Sequence, residues 1–431
     1  MNEMILIKNG RVYGSADHVC DILVRDGRII SIRRNIAETE NMTVLDAGGR
    51  VVAPGLVDMH VHFRDPGFEY KENVLTGAAA AAAGGVTTCC CMPNTLPVAD
   101  NTDTIRYIID KAKPAPVRVL PYGAVTLGQN GERLTDFAAL KAAGAVGLSD
   151  DGNPIQSAAV ARSAMQSARE AGMLLISHCE DAGMAQNFAV NEGRVSEEMK
   201  LPGRPAIAEE IMVARDAMLA AETGARVHIA HVSTSGSVEI IRRAKEAGVK
   251  ITAETCPQYF TLTEDEVPRQ GAIARVNPPL RTRRDVNAIV RGLADGTIDV
   301  IATDHAPHSV EEKSKPLEDA PSGMVGLETS LGLALTFLYH TGKINMDRLI
   351  ELMSVNPARI LGLEAGALKQ GAVADLVIFD PDEEWTVEPG RFCSKSRNTP
   401  FAGMKLRGRV KCTISRGRVV YREQGIGSRG S

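Results

Sequence analysis

Aromatic residues are scarce in this chain, at 4% with one tryptophan, and neither sign of charge predominates: 49 Lys and Arg stand against 53 Asp and Glu, a formal net charge of -4. That balance, with no long run of either sign, excludes nucleic acid and anionic membrane as expected partners. Long apolar runs are also missing, since the alanine run near Ala78 to Ala83 falls far short of the ~20 residues needed to span a bilayer. The opening MNEMILIKNGRVYG lacks the basic and then apolar pattern of a signal peptide, so a cytoplasmic protein is expected. The eight cysteines show none of the paired spacing that frames small secreted domains, which fits free thiols in a reducing compartment. Phosphate-cradling glycine loops are absent after the early strands: G-x-x-x-x-G-K followed by Ser or Thr does not occur, and G-x-G-x-x-G occurs only at Gly425 to Gly430, where no strand and helix pattern flanks it. What remains is ordinary globular composition, 44% hydrophobic and 24% charged over 431 residues, with a small molecule as the default substrate.

Three rhythms divide the chain. Residues 4 to 53 alternate apolar and polar residues and break at Asn-Gly, Asp-Gly and Gly-Gly, as short strands joined by turns do. The same texture returns in GALKQGAVADLVIFD and RVKCTISRGRVVYRE, so residues 1–53 and 367–431 are expected to form one small β-sandwich domain around an inserted middle. Between them, in residues 54–366, short β-branched runs alternate with alanine-rich helical segments: LVDMHVHF, VTTCCCMPN, VRVLPYGAV, AVGLSDD, MLLISHCED, RVHIAHVS, VKITAETCP and DVIATDHAPH. Strands alternating with helices eight times predict a (β/α)8 TIM-like barrel, so the fold class is α/β. The rival, a doubly wound open sheet, would place a glycine-rich loop after an early strand, and there is none.

Chemistry gathers at the ends of these strands. Side chains two apart on a strand share a face, so His60 and His62 point the same way, toward the C-terminal mouth where barrel active sites lie. Asp151, His178, His231 and Asp304 close four other predicted strands. By strict alternation Leu174 and Ile176 lead inward to His178, Val227 and Ile229 to His231, and Val300 and Ala302 to Asp304. Four histidines and two carboxylates at one rim suit divalent metal, and six positions exceed what one tetrahedral zinc uses, which points to two metals sharing a carboxylate.

Taken together, DMHVHFRDPG, CMPNT, SDDG, SHCED, AHVST, NPPLR and TDHAPH resemble, in order and over nearly the whole chain, the class I dihydroorotases of the amidohydrolase superfamily. The resemblance implies a zinc-dependent hydrolase that interconverts N-carbamoyl-L-aspartate and (S)-dihydroorotate in pyrimidine biosynthesis. Two zinc ions per subunit are implied, one on His60, His62 and Asp304, the other on His178 and His231, with Asp151 bridging. Many superfamily members bridge with a carboxylated lysine at the end of the fourth strand. This chain has none there, Lys141 lying in the preceding helix, so Asp151 takes that role ahead of Asp150. The resemblance sets substrate against His62, Arg64, Asn94, Asn277, His308, Ser322 and Gly323, although related enzymes often carry a bulkier apolar residue where Ser322 stands. A hydroxide bridging the zincs would attack the amide and Asp304 would shuttle its proton to the leaving nitrogen. Arg64 offers a planar fork for the substrate carboxylate. A homodimer and an association with aspartate transcarbamoylase are the partnerships the family suggests.

Other residues invite a structural reading. Cys89, Cys90 and Cys91 alternate faces and cannot cage one ion, and Cys90 is expected to face the barrel core. Cys179 should face outward, His228 should be a satisfied structural histidine of the wrong parity for the metals, and Asp58 a buried residue steadying the site from one layer below His60. His305 fits either a ligand-orienting or a structural role, and His18 and His340 have no supporting context. The charged segment HAPHSVEEKSKPLEDAPSG, His305 to Gly323, reads as a lid with His308 on its stem, or, through Glu311 to Asp319, as a solvated loop. Two competing functions remain: a hydantoinase or allantoinase type of cyclic amidase, which would use the same metals, and a silent homologue serving as a structural partner of transcarbamoylase, which would be expected to have lost metal ligands.

Overall fold

A computed structural model describes residues 4–15, 19–423 and the backbone of 428–429; His18 lies outside the described residues. Eight parallel strands run in chain order around a barrel: β1 Leu56–Val61, β2 Val86–Cys91, β3 Arg118–Pro121, β4 Leu148–Ser149, β5 Leu175–Ser177, β6 Val227–Ile229, β7 Ile251–Thr255 and β8 Val300–Ile301. Ladders join β1 to β3 and β4 to β8, and single parallel bridges, Gly123 with Leu148 and Val61 with His305, close the two seams. The strands are short because the pairing stops where the loops that build the mouth begin.

Helices pack outside, among them Val74–Ala83, Ala158–Ala171, Ile207–Thr223 and Arg283–Asp295. Asn73 caps the alanine helix by accepting from the backbone of Leu75 and Thr76. Small side chains let this helix lie against the barrel, and at Gly77 an added Cβ would stand 2.4 Å from the Phe63 ring. Among the described residues, no helix is long and apolar enough to cross a membrane. Seven of the eight cysteines are buried and Cys393 is exposed.

Strands from both ends of the chain share a nine-stranded sheet. Met4–Val12 changes partners along its length, pairing in parallel with Met42–Asp46 at its start and with Val51–Val52 at its end. Side chains from residues 5 to 52 and from 374 to 414 pool into one core, including Ile7, Ile22, Leu376 and Ile414. Hydroxyls tie this sheet to the barrel: Thr413 donates to the carbonyl of Ala82 at 2.6 Å, and Ser354 to that of Gly55 at 2.8 Å.

Inside the barrel, Met59, Cys90, Met92, Tyr122, Leu174, Ile176, Ala230, Val300 and Ala302 form an apolar plug beneath the mouth. Leu174, Ile176, Val300, Ala302 and Cys90 thus face as alternation predicts, with Cys89, Cys91 and Cys179 packed outward. Two parities differ. Val227 and Ile229 pack in the outer layer with Val213 and Ile241, so the inward pair on β6 is His228 and Ala230. On β1 the register shifts between Asp58 and Val61, and Met59 joins the plug. Asp58 instead accepts backbone N–H bonds from His60 at 3.0 Å and Thr303 at 3.2 Å, joining β1 to β8, and burial pushes its carboxyl up to about 6.

Candidate functional site

The backbone leaves regular strand geometry where it delivers side chains to the mouth. Arg64, His231 and Asp304 have φ of 61°, 34° and 47°, a left-handed conformation that non-glycine residues rarely adopt and that concentrates at functional sites. This turn lets His231 enter the mouth although the parity of β6 points the opposite way.

Below the mouth lie two groups of potential ligands with one member in common. The ligand atoms of His60, His62 and Asp151 all lie within 4.8 Å of one another, as do those of Asp151, His178 and His231. Asp304 completes the ring, its Oδ1 lying 3.0 Å from His62 Nε2 and 3.6 Å from His60 Nε2. Asp150 turns away, accepting from the backbone of Val125 and Thr126 and from the Thr126 hydroxyl at 2.5 Å. Lys141 donates to the carbonyl of Ala171 and takes no part.

Hydrogen bonds on the far side of the rings decide which nitrogen faces inward. His60 donates Nδ1–H to Glu254 at 2.6 Å, and His62 donates Nδ1–H to the amide oxygen of Asn94 at 2.9 Å. Each ring then presents an Nε2 lone pair, and that of His60 is buried with no hydrogen-bond partner among the described residues. His178 Nδ1 and His231 Nε2 face each other at 2.8 Å, each 3.3 Å from Asp151 Oδ1. Ring nitrogens converging on carboxylate oxygens call for positive charge between them, and imidazole and carboxylate groups braced from behind suit a divalent metal in that place. The electrostatics agree. Burial opposes charge on His60, yet Asp151 and Glu254 outweigh it and hold the imidazole well above its usual range. His178 is raised to about 10 by Asp151 and Glu180 against burial, and Asp151 is held well below the carboxylate range by the surrounding histidines.

Above this cluster opens a cavity of about 270 Å³ lined by every residue the sequence assigned to substrate: His62, Arg64, Asn94, Asn277, His308, Ser322 and Gly323. Arg64, partly buried, has its Nε 3.3 Å from the carbonyl of Pro307 and an Nη 3.4 Å from His308. Among the described residues no carboxylate forms an ion pair with it. Asn277 Nδ2 lies 3.4 Å from His178 Nε2, while its oxygen accepts from Arg204, itself paired with Glu180 at 2.6 Å. Burial and the neighbouring Arg64 keep His308 neutral, and its Nε2–H donates to the Ser322 carbonyl at 2.8 Å. The Ser322 hydroxyl takes a 3.3 Å bond from Arg275.

Several contributors escaped sequence reasoning. Glu254, wholly buried on β7, accepts from His60 and lies 3.2 Å from His228 Nε2, whose Nδ1 meets the Thr252 hydroxyl at 2.8 Å. An inward carboxylate on a barrel strand was the available signal. His228 is therefore a satisfied buried histidine, but on the inward face. Asn187 also lines the cavity, held through its backbone and side-chain oxygens by buried Arg275, and nothing in its local sequence marks it. His305 is fastened by the amide of Gly326 and by Glu72, and His340 donates to the carbonyl of Pro381. The segment after His308 is not wholly solvated: Val310–Lys313 is a short helix, and buried Lys313 donates to the carbonyls of Ala272, Arg275 and Pro321.

This architecture has known counterparts. Its fold matches the L-hydantoinase (dihydropyrimidinase) of Arthrobacter aurescens with a TM-score of 0.88 and 29% identity, covering 99% of this chain and 98% of that one. It also matches the dihydropyrimidinase of Brevibacillus agri with a TM-score of 0.86 at 23% identity, covering 99% and 96%, a likeness of fold. The family model described as Dihydro-orotase-like matches residues 49–237. In sequence, the dihydroorotase of Acetivibrio thermocellus is 50% identical over 424 residues, 97% of this chain and 99% of its own length. That of Clostridioides difficile is 49% identical over 421 residues, 97% of this chain and 100% of its own. Half of all positions shared from end to end, around a cluster of histidines and aspartates at a barrel mouth, settle the lineage: the chain belongs to the dihydroorotase family.

Proposed function

We propose that this protein is a dihydroorotase, catalysing the reversible cyclisation of N-carbamoyl-L-aspartate to (S)-dihydroorotate and water in de novo pyrimidine biosynthesis. The observation that carries the reading is Arg64: a guanidinium with no carboxylate ion-pair partner among the described residues, lining the same cavity as Asp151, His178 and His231. A cation held there calls for an anionic substrate, and dihydroorotate differs from a plain hydantoin in carrying a carboxylate next to its cyclic amide.

In this reading His60, His62 and Asp304 hold one ion, His178 and His231 a second, and Asp151 both. Zinc suits the nitrogen and oxygen donors, and two bound zincs would polarise an amide carbonyl and make water acidic enough to attack near neutral pH. The chain does the rest. Glu254 and Asn94 fix the tautomers of His60 and His62. Arg64 binds the substrate carboxylate, the side-chain amides of Asn94 and Asn277 orient the ring, and the Ser322–Gly323 backbone lies against it. Asp304 accepts a proton from the attacking water and returns it to the leaving amide nitrogen. Run backwards, the same transfers close the ring and release water.

Metal-loaded protein incubated separately with dihydroorotate, hydantoin and allantoin tests the proposal. Ring opening of dihydroorotate is expected. Activity on hydantoin or allantoin alone would overturn it, and inactivity on all three with metal bound would favour the silent homologue. Residues 1–53 with 367–431 are proposed as a composite β domain around the 54–366 barrel. A cytoplasmic location, a homodimer and association with aspartate transcarbamoylase belong to the same proposal, and sedimentation with and without transcarbamoylase measures the last two.

A further inference from the structure

Part of the cavity wall is built from Ala306, His308, Ser322 and Gly323, the two ends of the long loop after β8. These ends lie side by side, with the Ala306 amide donating to the carbonyl of Met324 at 2.8 Å. A side chain from far outside the barrel holds them together. Asn398, 4% exposed, accepts the backbone N–H of His308 at 3.1 Å through its amide oxygen. Its Nδ2 donates to the carbonyls of Ala306 at 3.2 Å and Gly323 at 3.1 Å, and its own carbonyl accepts from Val325 at 2.9 Å. Both amide hydrogens are used within the wall.

Asn398 sits on an anchored pedestal. Glu328 accepts the backbone N–H groups of Cys393 at 2.9 Å and Ser394 at 3.0 Å. Fully buried Glu72 accepts the Ser394 hydroxyl at 2.5 Å, and the Ser396 hydroxyl donates to the carbonyl of Lys71 at 2.7 Å. Residues 394–398 therefore touch both the loop that follows Arg64 and the loop that carries His308. The wall has little slack, since a Cβ on Gly323, whose φ is 137°, would fall 2.7 Å from Ala306 Cβ and 3.0 Å from His308 Nε2.

We propose that Asn398 is a positioning residue for substrate: through three amide hydrogen bonds it sets the spacing between His308 and Gly323 and so the register of the wall against the substrate carboxylate and ring. The inference rests on the dihydroorotase reading for its substrate. The brace itself does not. Asn398→Asp keeps the shape but turns a carboxylate oxygen toward the carbonyls of Ala306 and Gly323, and Asn398→Ala removes the bonds without repulsion.

Three readouts on the full-length, metal-loaded protein test it: steady-state kinetics on dihydroorotate, bound metal, and amide hydrogen exchange over residues 306–325. A wall that binds the substrate's non-reacting groups equally in the ground and transition states acts on KM alone, so KM should rise ~10-fold or more in both variants, with kcat within about threefold and metal content unchanged. Exchange at His308 and Val325 should quicken, which a remote loss of stability would not confine to this segment. An unchanged KM, a loss carried wholly by kcat, or loss of metal would overturn the proposal. If the unaltered protein does not open dihydroorotate, the functional reading fails; the exchange arm then decides the brace, and unchanged exchange in both variants overturns it. Asn398→Ala serves should Asn398→Asp not fold.

Discussion

Replacing Glu254 by Gln should weaken metal binding while leaving the fold nearly intact. The carboxylate is fully buried, accepts from His60 Nδ1 at 2.6 Å and faces His228 Nε2 at 3.2 Å. Burial opposes its charge, but His60 and His228 outweigh that and hold it well below the usual carboxylate range, so it is ionised at neutral pH. Glutamine keeps the volume, and its oxygen can still accept from His60. Its NH2 can donate to His228 Nε2 if that ring carries its proton on Nδ1 toward Thr252. Packing is preserved and only the negative charge is lost. A hydrogen bond to a charged group contributes about 1.5–3 kcal/mol. Loss of a carboxylate behind a metal-binding histidine typically lowers metal affinity about 10–100-fold, or roughly 1.4–2.7 kcal/mol, so the two scales agree. Zinc competition against a chromophoric chelator should show a weaker site in Glu254→Gln, and the melting temperature of the metal-free protein should move little. Equal zinc affinities for variant and wild type would refute the claim that Glu254 acts through His60, and a collapse of the metal-free protein would make it a core residue instead.

Three further outcomes are expected. Asp304→Asn should retain most of its metal, held by four histidines and Asp151, yet lose turnover by 100-fold or more, on the order of what general acid–base catalysis supplies; a variant with metal and full turnover would remove the proton-transfer role. Arg64→Lys, which exchanges a planar fork for a point charge, should raise KM for dihydroorotate more than it lowers kcat, and substrate titration resolves the two. Burial, with Arg275 adding to it, pushes the Lys313 ammonium down to about 7. A lysine depressed in the folded state is protonated more readily in the unfolded chain, so its linkage term makes stability rise with pH between about 7 and the unfolded value of 10.5. Urea unfolding at stepped pH should show this rise in wild type and a flatter profile in Lys313→Met, and parallel profiles would contradict it.

Much of the site can be read locally. Each barrel strand announces itself as a short β-branched run, and a ligand at its end needs only the adjacent loop to reach the mouth, so His60, His62, Asp151, His178, His231 and Asp304 stand out one strand at a time. Parity was reliable where strands are regular, at Leu174, Ile176, Val300 and Ala302. It failed at β6 and β1, where a left-handed residue and a register shift break the period of two. The sequence alone therefore determined the succession of elements, the residue types at the mouth and, through half-identical relatives, the family. Tertiary structure decided what alternation cannot encode: that Glu254 stands behind His60, and that Asn398, 90 residues beyond His308, braces the cavity wall. Those contacts depend on barrel closure and on the return of the C-terminal segment, and no local pattern of apolar and polar residues carries that information.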